Sequence, residues 1–585
     1  MNAGPATDFK DLRSATAAPA GAERPPSAID QILSDHVDRW AALDPIFATQ
    51  AGLTGHEGEL PDFSPAGWAA KADLRRATGA ALRVAQPVDA VDRVSLAAAE
   101  ERFASEERLD QAGEWLAQLN PITSPLSGLR AIFDVMAVAT TEDWAAIAQR
   151  LAAIPASLKG YLESLRVAAD RGLAPALRQV EVGLERARRQ ADPATSFFVS
   201  LVAGAQPDSG LPSPGLAADL ADGAAAAGLA YAEAARFLAQ ELAPRARPTD
   251  GFGRDRYALW LPYFIGAELD LDQTYAWGLE ELAQTTAEQE AIAAGLAGPG
   301  ATVDQAIAVL DLQPGRRLDG LDALRGWVQE TADAAIAAVD GRFFDIPEPV
   351  RRVEARIDPD SSGGVHYSAP SDDFSRPGRV WWSVPPSVTS FATWREKTTV
   401  YHEAVPGHHL QNGLAIHNRA ELNPWRRHAA RTSGHGEGWA LYAERLMEEF
   451  GLVTDLGDRL GLVDGQRMRA ARVVLDIGVH AQLPAPQAYG GGTWDAAKAW
   501  QLLRSNVRWD EAFLAAELNR YLGWPGQAPS YKIGQRLWEE ARDQVRAAAL
   551  AHGRDFDLKA FHTQALRLGS VPLSIIGPAL TGALG

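Results

Sequence analysis

The sequence of 585 residues contains no cysteine. Disulfide bonds, thiol nucleophiles and cysteine-bound metals are therefore excluded, and histidine and carboxylate groups are the strong metal ligands that remain. Positive charge is also scarce, since 56 lysines and arginines stand against 75 aspartates and glutamates, a formal net charge of −19. This balance argues against nucleic acid as the main partner of the protein.

Long apolar runs are missing as well. No stretch reaches the roughly 20 apolar residues that a membrane-spanning helix needs, and the first residues lack the apolar segment of a secretory signal peptide. We therefore expect a cytoplasmic protein without a membrane partner. The alanine, proline and glycine content of residues 1–26 predicts a disordered N-terminal tail.

Hydrophobic periodicity predicts a mainly α-helical protein. In residues 27–340, apolar residues recur every three or four positions with charges between them, a pattern typical of amphipathic helices. Short β-branched and aromatic runs between residues 343 and 386 predict a few strands. The helical pattern resumes at about Ser390, which we interpret as a helix cap. We expect an N-terminal helical region (27–340) and a second region (341–585) that form one intertwined body.

The densest group of histidines lies in YHEAVPGHHLQ, residues 401–411, which holds three of the 12 histidines. His402 stands beside Glu403, and His408 and His409 follow. A histidine next to a glutamate, with further histidines nearby, is typical of catalytic zinc sites. The imidazoles bind the metal, and the glutamate takes a proton from the attacking water. The alternative is a group of hydrogen-bonded histidines near a helix end.

The spacing of these histidines does not fit a regular helix. Six residues leave His402 and His408 about 240° apart around the axis, and seven residues separate His402 from His409 by about 10.5 Å along it. Pro406 removes a backbone donor and clashes with the preceding turn, and Gly407 permits unusual backbone angles. A shared metal therefore requires a bulge or break at these two residues.

A second dense stretch, GHGEGWALYAE, occupies residues 434–444. Glu437 falls near the start of the helix predicted there, where it is either a third metal ligand or a complement to the helix dipole. Glu444 follows on the same face, about 10.5 Å further along. It either supports the site from behind a ligand or is an exposed charge.

A third dense stretch, residues 517–538, carries Arg520, Tyr531 and Lys532 around a Pro-Gly turn. Phenol and guanidinium groups can stabilise the oxyanion of a tetrahedral intermediate. A well-packed turn between helices is the alternative. His480 follows a mainly apolar run, so it is either a core residue or a contact to substrate.

Together the three stretches resemble the bacterial domain of unknown function 885 family, whose pattern is HExxPGHHxQ, then EGWAxYxE, then PGQAxSYKxG. Here they read HEAVPGHHLQ, EGWALYAE and PGQAPSYKIG, in the same order. Pro529 departs from the small or apolar residue expected at its position, but the next three residues are intact. The resemblance is expected to cover most of the chain beyond the tail.

That family is similar to helical zinc peptidases of the gluzincin type, such as angiotensin-converting enzyme, thimet oligopeptidase and carboxypeptidase Taq. The resemblance implies a large helical zincin-like body with a small β-sheet bordering a deep active-site cleft. It also implies Zn²⁺ on His402, His408 and Glu437, because a Gly-His pair closes the zinc motif in those relatives and a later glutamate is the third ligand. Dipeptidyl peptidase three is a precedent for a lengthened motif. The acid that often follows three or four residues after that glutamate is replaced here by Ala440 and Leu441.

The roles that follow from this resemblance are those of a zinc hydrolase acting on a short peptide or small amide. Glu403 is expected to be the general base and then the general acid, and Tyr531 to stabilise the oxyanion. Further contacts to substrate are expected from His409, His480, Arg520 and Lys532. Hydrolysis of a non-peptide amide and a non-catalytic helical binding protein are the alternative functions.

Overall fold

The structure is a computed structural model, and it describes residues 24–208, 210–358, 364–385 and 387–584. Most of the predicted tail therefore lies outside the described residues. Arg24, near the end of that tail, is described and pairs with Asp89 at 2.6 Å.

Helices dominate the described residues, and the mainly α-helical class with small sheets is confirmed. Before the sheet region the helices are α1 (Ala28–Leu43), α2 (Pro45–Ala51), α3 (Pro65–Leu82), α4 (Ala90–Gln111), α5 (Pro125–Ala131), α6 (Thr141–Asp170), α7 (Leu177–Ala191), α8 (Phe197–Ala203), α9 (Pro214–Phe237), α10 (Arg254–Ile265), α11 (Leu271–Ala297), α12 (Val303–Asp311) and α13 (Leu321–Val339). After it come α14 (Thr393–Glu403), α15 (His408–His417), α16 (Pro424–His428), α17 (Ser433–Glu449), α18 (Leu456–His480), α19 (Ala496–Asn506), α20 (Glu511–Gly523), α21 (Ser530–Ala551), α22 (Leu558–Arg567) and α23 (Leu573–Thr581). None of the described helices is long and apolar enough to cross a membrane.

Five short strands form two small sheets. The strands are β1 (Arg317–Asp319), β2 (Val353–Asp358), β3 (His366–Ser368), β4 (Gly378–Ser383) and β5 (Ser390–Ala392). In the larger sheet the order is β2-β4-β3, with β2 parallel and β3 antiparallel to β4. In this sheet β3 is therefore an edge strand.

Strand β5 corrects the start predicted for the next helix. Ser390 is not a helix cap, because it pairs with Asp319 of β1, and α14 begins three residues later at Thr393. A strand of three residues carries too little alternation to be recognised in a sequence.

Two large hydrophobic cores lie in the described residues. The smaller one gathers apolar side chains of α6, α7 and α9, between Phe63 and Leu242. The larger one runs from Ile29 to Ile576 and takes residues from both sides of the boundary expected at residue 340; the predicted division stays a prediction. Helix α18 crosses the larger core and is buried over most of its length.

Glycines bring α17 and α21 into backbone contact. A Cβ atom at Gly438 would lie 2.4 Å from the carbonyl carbon of Gly534, and one at Gly534 would lie 2.3 Å from the carbonyl oxygen of Gly434. No larger residue fits at these positions without moving a helix. This close approach places the start of α21, with Tyr531, next to the start of α17, with Glu437.

Candidate metal centre

The helix that carries His402 breaks where the sequence predicts a break. Helix α14 ends at Glu403, α15 begins at His408, and the peptide bond between Val405 and Pro406 is cis. The amide of Gly407 donates to the Tyr401 carbonyl at 3.0 Å. A Cβ atom at Gly407 would lie 1.9 Å from the His402 carbonyl oxygen, so the turn requires glycine.

This break brings three side chains to one point. The Nε2 atoms of His402 and His408 lie 3.4 and 3.3 Å from Oε2 of Glu437, and one ligand atom from each residue lies within 4.8 Å of the others. We call these three residues the triad. Zinc bonds to nitrogen and oxygen are about 2.0–2.2 Å, so ligand atoms at these separations can share one ion. His408, rather than His409, is the residue that faces His402.

Charged neighbours shift the pKa values of His402 and Glu437 against the effect of burial. Burial alone would lower the pKa of His402, but the hydrogen bonds that its ring donates to Glu437 and Glu444 raise it to about 9. Burial would raise the pKa of Glu437, yet the imidazoles of His408 and His402 hold it well below its ordinary value. A carboxylate kept ionised between two imidazoles is a donor set that suits a divalent cation.

Glu444 supports the triad from behind. Its side chain is 1 % exposed, Oε1 lies 2.8 Å from Nδ1 of His402, and Oε2 accepts a hydrogen bond from the Thr398 hydroxyl. Of the two readings open in the sequence, the exposed charge is therefore excluded. A carboxylate on the far nitrogen of a metal-binding histidine fixes the ring and leaves Nε2 for the metal. Glu444 lies seven residues after Glu437, whereas the acid expected from the zinc peptidases lies three or four residues after the third ligand.

Glu403 is buried beside the triad but is not part of it. Its neighbourhood includes Tyr367 of β3, a residue that sequence reasoning missed. Burial raises the pKa of the Tyr367 phenol, and the charge of Glu403 raises it further. The Tyr367 ring lies 6.5 Å from the His408 ring. Nothing in the sequence around Tyr367 distinguishes it from other strand aromatics, because its proximity to the triad arises from the sheet.

Tyr531 lies at the start of α21, on a different helix from the two that meet at the break after Glu403. Its ring is 6.4 Å from the His402 ring and nearly parallel to it, at 17°. Burial raises the pKa of its phenol, and the charge of Glu437 raises it further. Arg520 lies near enough to oppose that rise, and it is held by Glu517 through hydrogen bonds of 2.8 Å. The structure thus brings Tyr531 and Arg520 into the neighbourhood of the triad.

His409 is placed differently from the substrate contact expected of it. It is fully buried, with Nε2 2.8 Å from the Val350 carbonyl and Nδ1 3.0 Å from the Tyr367 hydroxyl. Burial lowers the pKa of His409 to about 4. Because both ring nitrogens are occupied, its position fits a structural anchor for β3 and not a contact to substrate.

His480 and Lys532 also lie where the expected substrate contact does not fit. His480 is fully buried, stacks on Tyr257 at 5.6 Å and has Nε2 3.0 Å from the Tyr521 carbonyl oxygen. Lys532 does not join the triad. Its Nζ donates a hydrogen bond to Oε1 of Gln466 at 2.6 Å and forms an ion pair with Glu281 at 2.7 Å. It lines a separate pocket of about 320 Å³.

A family of known sequences matches this chain, and it is the family that the three sequence stretches resemble. The family described as "Bacterial protein of unknown function (DUF885)" matches residues 45–580. This chain belongs to that family. A search of the curated proteins finds no match.

Two solved structures have a similar fold. One is of a candidate lipoprotein from Colwellia psychrerythraea, with a TM-score of 0.79, 20 % identity, and coverage of 95 % of this chain and 98 % of that one. The other is of a candidate lipoprotein of unknown function from Shewanella oneidensis, with a TM-score of 0.70, 20 % identity, and coverage of 94 % and 98 %. At this identity the likeness establishes the fold alone. None of these descriptions states an activity, so the resemblance to zinc peptidases rests on the residues themselves.

Proposed function

We propose that this protein is a zinc-dependent hydrolase that cleaves peptide bonds of short peptides. The observation that carries the proposal is the convergence of His402, His408 and Glu437, with Glu444 behind His402. Two imidazoles and one carboxylate are a ligand set of catalytic zinc sites, which keep a fourth position open. When bound, zinc would polarise the scissile carbonyl and lower the pKa of a water molecule.

The remaining chemistry falls to side chains around the triad. Glu403 would accept the proton of the attacking water and deliver it to the leaving amine. The Tyr531 hydroxyl would donate a hydrogen bond to the carbonyl oxygen as negative charge develops on it. Both groups lie beside the triad without belonging to it, as a base and an oxyanion donor must.

Two features favour a short peptide as the substrate. Strand β3 is a sheet edge, and its Tyr367 lies near His408, so an extended peptide could pair with that edge within reach of the triad. The triad is also well enclosed, with the His402 and His408 side chains 6 % and 8 % exposed and that of Glu437 20 % exposed. An enclosed site admits a short chain more readily than a folded protein.

The experiment is a comparison of Glu403→Gln with the wild type, both purified without a histidine tag and loaded with zinc. We expect about one zinc per chain in each, and a loss of roughly 10²–10⁴-fold in peptide hydrolysis for the variant. Peptide libraries read by mass spectrometry provide the substrates. Glu396→Gln is the matched control, because Glu396 is on the same helix and accepts a hydrogen bond from Trp382 at 3.0 Å, away from the triad.

A wild-type protein that is folded and stays free of zinc after loading would contradict the proposal, as would a Glu403→Gln variant with undiminished hydrolysis. A panel of non-peptide amides tested beside the peptides separates the two substrate classes, since the same residues could act on either. The cytoplasmic location stays a prediction. The description of both structural neighbours as lipoproteins is a reason to test it by cell fractionation.

A further inference from the structure

Three guanidinium groups gather around Tyr531. Arg472 and Arg469 of α18 have their Cζ atoms 5.1 and 6.0 Å from the centre of the Tyr531 ring. Arg520 of α20 is the third, and Glu517 pairs with both Arg472, at 3.1 Å, and Arg520, at 2.8 Å. One carboxylate thus serves two of the cations, in a protein whose net charge is −19.

Arg469 is left without a salt bridge to any described residue. Its hydrogen bond runs from Nη1 to the Gly465 carbonyl at 3.3 Å, within its own helix. The charge of Arg469 also acts on Glu444, since His402 and Arg469 together hold the pKa of that buried carboxyl below its ordinary value. The carboxylate oxygens of Glu444 are nevertheless already bound by His402 and Thr398.

Buried donors at this place also lack partners. The Nε atoms of Arg469 and of Arg472 are buried and form no hydrogen bond, and Arg472 as a whole is only 5 % exposed. A buried charged donor without a partner costs free energy, which an anion accepted there would recover. A guanidinium group is suited to a carboxylate because its parallel N–H groups match the two oxygens.

The distance from these cations to the triad is short. The His402 ring is 6.4 Å from the Tyr531 ring and Arg472 is 5.1 Å from it, so His402 and the Arg472 guanidinium are separated by less than about 12 Å. An extended chain covers about 3.3–3.6 Å per residue. An anion on Arg472 is therefore within about three residues of the triad.

We propose that Arg469 and Arg472 bind the C-terminal carboxylate of the substrate, so that the protein removes the last one to three residues of a peptide. The inference rests on the proposed function for the cleavage step, but not for the binding step. The carboxylate lies against the two guanidinium groups, the scissile carbonyl reaches the triad, and Tyr531 stands between them. The chain on the N-terminal side of the cleaved bond then runs towards β3.

The test measures binding separately from cleavage. Two matched libraries of N-acetylated tetrapeptides with randomised residues are prepared, one ending in a carboxylate and one in a carboxamide. The zinc-loaded Glu403→Gln protein is incubated with each, and the retained peptides are quantified by mass spectrometry. We expect the free acids to be retained roughly ten- to a hundredfold better, the range for a hydrogen bond to a charged group.

Variants of Arg469 then assign the preference. Arg469→Gln should remove most of the difference between acids and amides, and Arg469→Lys should restore part of it because charge returns without the paired N–H groups. Arg459→Gln is the matched control, since Arg459 is on the same helix and pairs with Glu448 at 2.7 Å. It should leave the preference unchanged.

The outcomes separate this inference from the proposed function. Equal retention of acids and amides, no retention of either, or a preference that survives Arg469→Gln would overturn the inference, whatever the wild type hydrolyses. A preference that depends on Arg469, in a protein that cleaves no peptide, would uphold the carboxylate site and contradict the peptidase. Cleavage by the wild type of carboxamide peptides as fast as free acids would overturn the inference and leave the peptidase standing.

Discussion

Among the described residues, the triad can be compared with a second buried cluster that joins histidine to a carboxylate, and the two clusters differ in charge. In the triad, the pKa of His402 is raised to about 9 and that of Glu437 is held well below its ordinary value. In the core cluster, formed by Asp476, His480 and Tyr257, burial raises the pKa of Asp476 to about 7 and lowers that of His480 to about 4. The first cluster stays charged, whereas the second tends to neutrality.

The difference follows from how many imidazoles contact the carboxylate. Glu437 is within 3.4 Å of two imidazole nitrogens, whereas Asp476 stands 3.7 Å from His480 and accepts from the Tyr257 hydroxyl and the Gly526 amide, both at 2.8 Å. Uncharged donors do not offset the loss of hydration that an ion suffers on burial. A histidine beside an acid is thus not enough for a metal site, and the three residues of the core cluster provide control variants for a histidine, a carboxylate and a tyrosine of the candidate metal centre.

The largest expected effect is the loss of metal. His402→Ala and Glu437→Ala each remove one of three protein ligands, so zinc affinity should fall by more than the roughly 10–100-fold typical of changes outside the ligand set. His480→Ala, the counterpart, should leave the zinc content unchanged. Metal content after dialysis, measured by mass spectrometry, gives the answer, and equal loss in all three variants would contradict it.

The next effect concerns turnover. Tyr531→Phe should reduce kcat by roughly 10²–10³-fold with little change in KM, because an oxyanion donor acts mainly on the transition state. Tyr257→Phe removes a phenol from the core cluster and should leave both constants unchanged. An effect of Tyr531→Phe that is confined to KM would assign Tyr531 to substrate binding instead.

A smaller effect on zinc affinity is expected for Glu444, which contacts His402 but does not belong to the triad. Glu444→Gln weakens the hydrogen bond that orients His402, and zinc affinity should fall by roughly 10–100-fold. Competition with a chelator of known affinity measures this change. Asp476→Asn is the matched variant, and an equal fall in both would show that the loss reflects general destabilisation and not the support of His402.

The smallest effect is one of stability alone. His480→Leu leaves the Tyr521 carbonyl without its hydrogen bond from Nε2, so the free energy of unfolding should fall by about 1–3 kcal/mol. Urea denaturation followed by tryptophan fluorescence measures it. A loss of activity at full stability would instead return His480 to the substrate site.

Part of the fold and of the candidate metal centre could be predicted from the sequence, and part could not. The helical class, the strands between residues 343 and 386 and the break after Glu403 follow from local patterns, because proline, glycine and periodicity act over a few residues. The choice of His408 over His409 came from the resemblance to zinc peptidases. The anchoring of His409 by Val350 and the approach of Tyr367 depend on contacts across 40 residues or more of chain. No local pattern carries such contacts.

Lys532 shows the same limit on one helix. It follows Tyr531 directly, but consecutive residues on a helix point about 100° apart, and only the packing of α21 against α17 decides which of them faces the triad. The glycines that set this packing, Gly438 and Gly534, are visible in the sequence. The sequence does not show that these two glycines pack against each other.

The central claim is that His402, His408 and Glu437 hold one zinc ion. Anomalous X-ray scattering, collected on both sides of the zinc absorption edge from crystals of tag-free, zinc-loaded protein, tests it most directly. The account predicts one strong peak, bonded to Nε2 of both histidines and to a Glu437 oxygen at about 2.0–2.2 Å, and none in the core cluster. A peak bound to other residues, or no peak in crystals whose dissolved protein retains zinc, would contradict it.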